Sequence, residues 1–299
     1  MIIVRYSEIA LKGKKRMEFQ NTLIKNIKRV LLKEFDLKPK IRSEWGRIFI
    51  DLDSNKIAER VSKIFGVSST SLANVTSSEI ENIISTALYV FRNIENPKSF
   101  AVRVRRVGDH PYTSLDVARI VGQHIKDKFH TPVNLDNPEV EIGIEIRDEF
   151  AYVYTNYETF KGVGGLPVGT QGRVLSLISD KLSLLSTWYA LRRGCDVDLL
   201  VAANYKDVKT IKTNVKIWAC YRDVNLIESK NEDLKDLLLE AFSLDYKGIF
   251  CSITTDNLPN LINVLKNRSM PVFTPLAPFK QEEINLKLKE ILIMKNETS

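Results

Sequence analysis

Residues 164–194, GGLPVGTQGRVLSLISDKLSLLSTWYALRRG, constrain the fold of this 299-residue chain more than any other stretch. Glycines at 164, 165, 169 and 172 make a turn-rich approach to residues 174–178, an apolar run short enough for a buried parallel strand. The polar turn Ser179-Asp180-Lys181 follows. From Ser183 the spacing of Leu184, Leu185, Trp188, Tyr189 and Leu191 predicts a helix, closed by Arg192, Arg193 and Gly194. Strand, tight turn and helix is the layout in which a helix N-terminus receives a phosphate.

Beyond this stretch, apolar runs and helical periods alternate. They predict strands at 174–178, 197–203, 215–220, 248–253 and 271–274, with helices at 183–193, 232–243, 258–266 and 280–292. That alternation is the pattern of a three-layer α/β domain with a parallel sheet, assigned to residues 166–299. Thr254 and Asp256 fall at the end of a predicted strand, where such domains hold ligands. No general-base pair, activated nucleophile or metal cluster assembles from the sequence.

The front half is α+β. Residues 1–76 read as strand, helix, hairpin across Trp45-Gly46, helix and strand, a split βαβ order that is ferredoxin-like. Just before its first helix stand Lys12, Lys14, Lys15 and Arg16, a cluster suited to clamping phosphates. Residues 77–165 form a further unit. Ser78-Glu79-Ile80-Glu81 reads as a capping box, and Ser114 as the N-cap of a helix carrying Val117, Val121 and Ile125. Between these helices, residues 100–106 alternate, with Phe100, Val102 and Val104 facing a core and Arg103 and Arg105 sharing the other side, followed by Arg106. Guanidinium groups at alternate positions either fork to RNA phosphates or pair with the acids of this unit.

The formal charge is +7, and it is uneven: residues 1–76 carry 16 Lys and Arg against 8 Asp and Glu, whereas residues 77–165 carry 10 against 13. A basic front suggests a polyanionic partner. No apolar run approaches membrane-spanning length and the N-terminus lacks a signal-peptide core, so a cytoplasmic protein without a membrane partner is expected. Cys195, Cys220 and Cys251 are far apart, with no CxxC pair, and read as small buried residues rather than zinc ligands or catalytic thiols. His110, His124 and His130 stand alone, and Tyr112 reads as a loop anchor or a base-stacking ring.

Gly164-Gly165-Leu166-Pro167-Val168-Gly169-Thr170, Gly172, Val174-Leu175-Ser176-Leu177 and Ser179 closely resemble the tRNA 4-thiouridine synthetase (ThiI) family, whose linker reads GGLPVGTxGKVLxLLSGGxDSPVA. The opening, residues 5–14, resembles the same family. Arg103-Val104-Arg105-Arg106, Ser114 and Val121-Gly122 resemble its THUMP domain, an RNA-binding module that with the N-terminal domain holds the acceptor end of tRNA. The resemblance implies an ATP-pyrophosphatase domain that adenylates a uridine of tRNA, with sulfur carried by a cysteine there or in an appended rhodanese domain.

This chain departs from the family at the phosphate loop. Asp180 and Lys181 stand where the family has two glycines, so Ser179, Asp180, Lys181, Leu182 and Ser183 form a degenerate nucleotide loop. Backbone amides approach phosphates in conformations that side chains resist, and a central carboxylate repels a triphosphate. A Cys-Arg-Arg segment is not recognisable, and no rhodanese module is expected. The expected function is tRNA binding in 4-thiouridine formation by a pseudoenzyme without a cofactor, with a separate sulfur-transfer or modifying subunit and a homodimer as candidate partners. Two alternatives stand beside it: an active sulfurtransferase using ATP through the altered loop, and a partner-binding or oligomerisation subunit.

Overall fold

A computed structural model describes residues 1–266 and 268–292. The first elements are β1 (Ile2–Arg5), α1 (Arg16–Phe35), β2 (Ile41–Glu44), β3 (Arg47–Ile50), α2 (Asn55–Ser62), β4 (Ser69–Leu72), β5 (Asn74–Ser77) and α3 (Ile80–Arg92). Next come β6 (Phe100–Val107), α4 (Ser114–Phe129), β7 (Val140–Arg147), β8 (Phe150–Thr155) and β9 (Thr159–Lys161). The remainder is β10 (Arg173–Ile178), α5 (Ser183–Arg192), β11 (Asp196–Val201), α6 (Val208–Trp218), β12 (Leu226–Glu228), α7 (Leu234–Ala241), β13 (Ile249–Phe250), α8 (Leu258–Leu265), β14 (Val272–Phe273) and α9 (Gln281–Leu292).

By contact, the chain forms two compact units. Met1–Arg5, Pro39–Lys63 and Val67–Gly162 make the first; Tyr6–Lys38, Ile64–Gly66 and the chain from Val163 onward make the second.

The first unit contains two sheets, ordered β2-β3-β1-β4-β9 and β5-β8-β7-β6. The former is antiparallel throughout, while β6 and β7 pair in parallel across α4. Alternation decides what β7 buries. Val140, Ile142, Ile144 and Ile146 pack with Val117, Val121 and Ile125 of α4 and with Ile83, Ala87 and Phe91 of α3. The opposite face of β7 carries Gly143, Glu145 and Arg147, and there Glu145 is 1% exposed. It accepts hydrogen bonds from Arg5 Nε and Arg47 Nε, both at 2.7 Å, and Arg147 Nε lies 3.9 Å away. Burial alone would raise the Glu145 carboxyl, but Arg5 and Arg47 outweigh it and hold the group below its ordinary value.

The second unit is built on an all-parallel sheet ordered β12-β11-β10-β13-β14. β10 is central, with both faces covered, which is why Val174, Leu175, Leu177 and Ile178 are apolar on both sides and the one buried polar residue, Ser176, is paired with the Thr187 hydroxyl at 2.6 Å. Val174 and Ile178 join a core with Leu184, Leu185, Ile211, Val215, Trp218, Ile284 and Ile291. Leu175 and Leu177 face a second core with Leu237, Leu238, Ala241, Leu261 and Val264. Sheet and two helical layers make the expected three-layer α/β fold.

Three local expectations change. Residues 215–220 are not a strand, because Ile211, Val215 and Trp218 recur on one buried face of α6; the apolar run Ile217 to Cys220 masks that period. The N-cap of α4 is Thr113 rather than Ser114, with a reciprocal box to Asp116. At α3 the N-cap Glu79 makes no side-chain cap, so the expected capping box is absent, and Ser77 Oγ accepts the Glu79 N–H instead.

Candidate functional site

The loop after β10 shows where its polar groups go. Asp180 Oδ1 accepts the Ser183 N–H at 2.9 Å and the Ser183 hydroxyl at 3.0 Å, while Asp180 Oδ2 accepts the Ser252 hydroxyl at 3.1 Å. The N–H groups of Ser179 and Asp180 point to Ser183 Oγ, at 3.2 and 3.3 Å. Thus the amides of Ser179, Asp180 and Ser183 are each taken by an oxygen of this chain, and the α5 N-terminus receives a carboxylate of its own. Lys181 is exposed, Leu182 packs partly against the neighbouring core, and Ser183 is fully buried. Nearby, the Thr254 N–H bonds to Asn257 Oδ1 at 2.8 Å and Asp256 is exposed. The side chain of Asn260 lies outside the described residues.

The glycine linker is held by specific contacts. Gly165 has φ +76°, and a Cβ there would lie 2.4 Å from the Arg192 carbonyl oxygen, so a side chain is excluded. Its N–H donates to Glu8 Oε1 at 3.0 Å. The N–H groups of Gly169, Thr170 and Gln171 converge on the Gly194 carbonyl at 2.9, 2.9 and 3.0 Å.

The basic residues are distributed unit by unit. In the second unit, Lys12 sits in the turn between two short 3₁₀ segments, its ammonium 5.6 Å from the Phe19 ring centre. Lys14 and Lys15 are exposed, and Arg16 opens α1 half-buried. In the first unit, β6 is an edge strand and puts Arg103 and Arg105 on its exposed face, as the alternation predicts. Arg103 is paired, however: its Nε meets Glu141 at 3.3 Å and it donates to the Leu135 carbonyl. Arg106 donates to the Gly108 carbonyl at 3.0 Å. Arg105 is exposed, and no described residue makes a hydrogen bond or ion pair with it. Tyr112 anchors its loop by donating to the Ser78 carbonyl and stacks on His110.

The three cysteines are buried. Burial pushes the Cys195 thiol up to about 11 and the Cys251 thiol up to about 12, so neither is a ready thiolate. Among the described residues no group of three or more His, Cys, Asp or Glu is placed to hold a metal, and no helix is long and apolar enough to cross a membrane.

Sequence reasoning missed the acid–arginine cluster at Glu145. It also missed a polar pocket of about 160 Å³ lined by Arg29, Arg173, Asp196, Tyr221, Arg222 and Asp223. Neither leaves a motif, because their members are scattered along the chain.

Residues 1–71 match the ThiI ferredoxin-like domain, residues 77–156 the THUMP domain, and residues 169–270 the family described as thiamine biosynthesis protein (ThiI). A probable tRNA sulfurtransferase of Sulfurisphaera tokodaii is 31% identical over 95% of this chain and 84% of its own length. The chain belongs to the ThiI, tRNA sulfurtransferase, family. A ThiI-family relative in Methanosarcina acetivorans, also a probable tRNA sulfurtransferase, is 42% identical over 65% of this chain; the match spans about half, 48%, of that relative. The crystal structure of PH1313 from Pyrococcus horikoshii superposes with a TM-score of 0.81 at 30% identity, covering 97% of this chain and 98% of that one. A 4-thiouridine synthetase, solved in complex with RNA and with bound ATP, shares the ThiI fold at a TM-score of 0.79 and 24% identity, over 99% of this chain and 86% of that one.

Proposed function

We propose that this chain binds the acceptor end of tRNA in the cytoplasm, serves 4-thiouridine formation, and leaves adenylation of the uridine to a separate subunit. The Asp180 carboxylate carries the reading. It takes the Ser183 N–H and two hydroxyls, and an anion arriving at the α5 N-terminus would meet a fixed negative charge and amides already engaged. The residues present therefore do not fit a bound triphosphate. Lys181 alone, a flexible exposed ammonium, does not replace a cradle of backbone donors.

Binding rests on exposed cations: Lys14 and Lys15 in one unit, Arg105 in the other, with Lys12, Arg16, Arg103 and Arg106 beside them. Each phosphate contact adds affinity that falls with salt. Charge reversal at Lys14 and Lys15, or at Arg105, is expected to weaken tRNA binding at low salt by roughly tenfold and to flatten its salt dependence. Unchanged affinity in both variants refutes the platform. For the catalytic half, purified protein is incubated with tRNA and labelled ATP. AMP and pyrophosphate are expected to stay at background, and tRNA-dependent release of either would establish the active sulfurtransferase instead.

A further inference from the structure

The pocket of about 160 Å³ lies within the second unit, at the opposite end of its sheet from the Asp180 loop. Arg173 and Asp196 are the first residues of β10 and β11, and Tyr221, Arg222 and Asp223 follow α6. Arg29 is contributed by α1. With a water's share of volume at roughly 30 Å³, there is room for one phosphate group and a few waters.

The arginines are held in set orientations. Arg222 forks onto Asp196, with Nε to Oδ1 at 2.5 Å and Nη2 to Oδ2 at 2.9 Å, and its Nη1 makes no hydrogen bond among the described residues. Arg173 Nη1 meets the buried Asp198 at 2.6 Å and reaches the Asp223 carbonyl at 3.4 Å, while Nε and Nη2 make no hydrogen bond among the described residues. Asp198 is in turn committed to Asn225 and Tyr246. Arg29 has no acid partner among the described residues; its one bond is Nη1 to Asn26 Oδ1 at 3.2 Å.

A purely structural ion-pair network accounts for Arg173 and Arg222 but not for a third guanidinium, Arg29, which lines the same pocket as Asp196 and Asp223 and yet makes no ion pair among the described residues. The surroundings favour a ligand too. Cys220 and Tyr221, with φ +54° and +57°, are successive non-glycine residues in the left-handed region directly before Arg222, the kind of backbone strain that gathers at ligand sites. Gly169 has φ +95°, and a Cβ there would lie 2.5 Å from Arg222 Cζ, so the linker glycine makes room for this guanidinium. Lys25, Lys28 and Lys33 are exposed along the helix that carries Arg29, adding a field that draws anions.

We propose that this pocket is a phosphate site, with Arg29 as the cation that makes no ion pair among the described residues and Arg173 and Arg222 as pre-oriented donors beside the Asp196 and Asp223 carboxylates. Planar guanidinium forks match phosphate oxygens. The phosphate is either a free phosphoryl group or one in the backbone of a bound RNA. Its place at the N-terminal ends of the strands separates it from the Asp180 loop.

The test uses the full chain and Arg29→Gln, whose one described contact is to a neutral side chain. Binding of inorganic phosphate and of pyrophosphate is measured by calorimetry, and binding of tRNA by filter retention across a salt series; matched melting curves verify folding. Loss of a charged hydrogen bond predicts affinity about tenfold lower in the variant. If the loss appears with inorganic phosphate or pyrophosphate, the ligand is a free phosphoryl group. If it appears with tRNA, with a salt slope shallower by roughly one, the ligand is the RNA backbone. Equal binding of all three ligands by variant and wild type overturns the proposal. tRNA binding as proposed above is tested at Lys14, Lys15 and Arg105, so the two proposals fail independently.

Discussion

Glu145→Gln isolates a buried carboxylate of the first unit that Arg5 and Arg47 share. The wild-type carboxylate is 1% exposed and takes Arg5 Nε and Arg47 Nε at 2.7 Å, with Arg5 Nη2 also at 2.7 Å. Glutamine keeps one carbonyl oxygen, so it satisfies one arginine and turns an amide donor toward the other, while Arg5, Arg47 and Arg147 lose their shared counter-charge. Each lost charge-assisted bond costs about 1.5–3 kcal/mol, and breaking a buried pair costs about 3–5 kcal/mol. With one contact kept, the expected destabilisation is about 3 kcal/mol at pH 7. Glu141→Gln is the control: its pair with Arg103 is nearly half exposed on both sides, so about 0–1 kcal/mol is expected. Because the chain has two units, native-state hydrogen exchange is the assay, reading β1, β3 and β7 against β10 and β11. The Glu145 carboxyl is held below its ordinary 4.5, so its contribution is fully present above that value and is lost as pH falls through the lower folded value. The gap between variant and wild type must therefore close in acid. Glu145→Gln indistinguishable from Glu141→Gln at pH 7, or a gap that persists at low pH, refutes the reasoning.

Asp180→Gly removes the carboxylate at the start of α5; a loss of about 1 kcal/mol is expected in thermal unfolding, together with a gain in binding of a non-hydrolysable ATP analogue measured by calorimetry. No gain would mean that the loop amides stay closed without Asp180. Thiol labelling with an aromatic disulfide at pH 8 should show no fast-reacting group at Cys195 or Cys251, since a thiol near 11 is only roughly a thousandth ionised there. One rapid equivalent, mapped by mass spectrometry to either residue, would contradict this. Gly143→Ala places a Cβ 2.3 Å from Tyr154 Cε2, so the ring must leave its site 4.8 Å under the Arg5 guanidinium; about 1–3 kcal/mol is expected in urea unfolding, and a neutral result would show that the ring relocates freely.

How much was legible follows from how each element encodes itself. β10 and its turn are plain because a strand covered on both faces writes a nearly continuous apolar run, here between Gly172 and the polar turn Ser179-Asp180-Lys181. β6 and β7 were plain on their Val and Ile faces, since alternation reports a core directly. It misreports Glu145: the period that puts Ile144 inside assigns its neighbour to water, and only Arg5 and Arg47, 140 and 98 residues away in the chain, make burial tolerable. For α6, the apolar run from Ile217 imitates a strand, and the helical period appears only once Ile211 is counted. Arg103 and Arg105 were correctly placed on one face, but the pairing of Arg103 with Glu141 depends on a parallel register that no local pattern carries.

The same contrast explains how a family signature surrounds a loop that does not follow it. Gly165 is bound to that identity by the Arg192 carbonyl at 2.4 Å from its missing Cβ, Gly169 by Arg222 at 2.5 Å, and Glu8 by the Gly165 N–H. These residues position the second unit's backbone whatever occupies the end of β10. The two glycines of the family's phosphate loop have no such duty here, because Asp180 and Ser183 take the N–H groups of Ser179, Asp180 and Ser183 themselves. Motif residues that brace the fold and motif residues that meet a ligand are therefore separable in this chain. On that ground Gly165→Ala should unfold the second unit, whereas Lys181→Gly, at an exposed side chain, should shift its thermal midpoint by no more than a couple of degrees. A Gly165→Ala variant that melts like wild type would show that the linker signature is kept for a ligand after all.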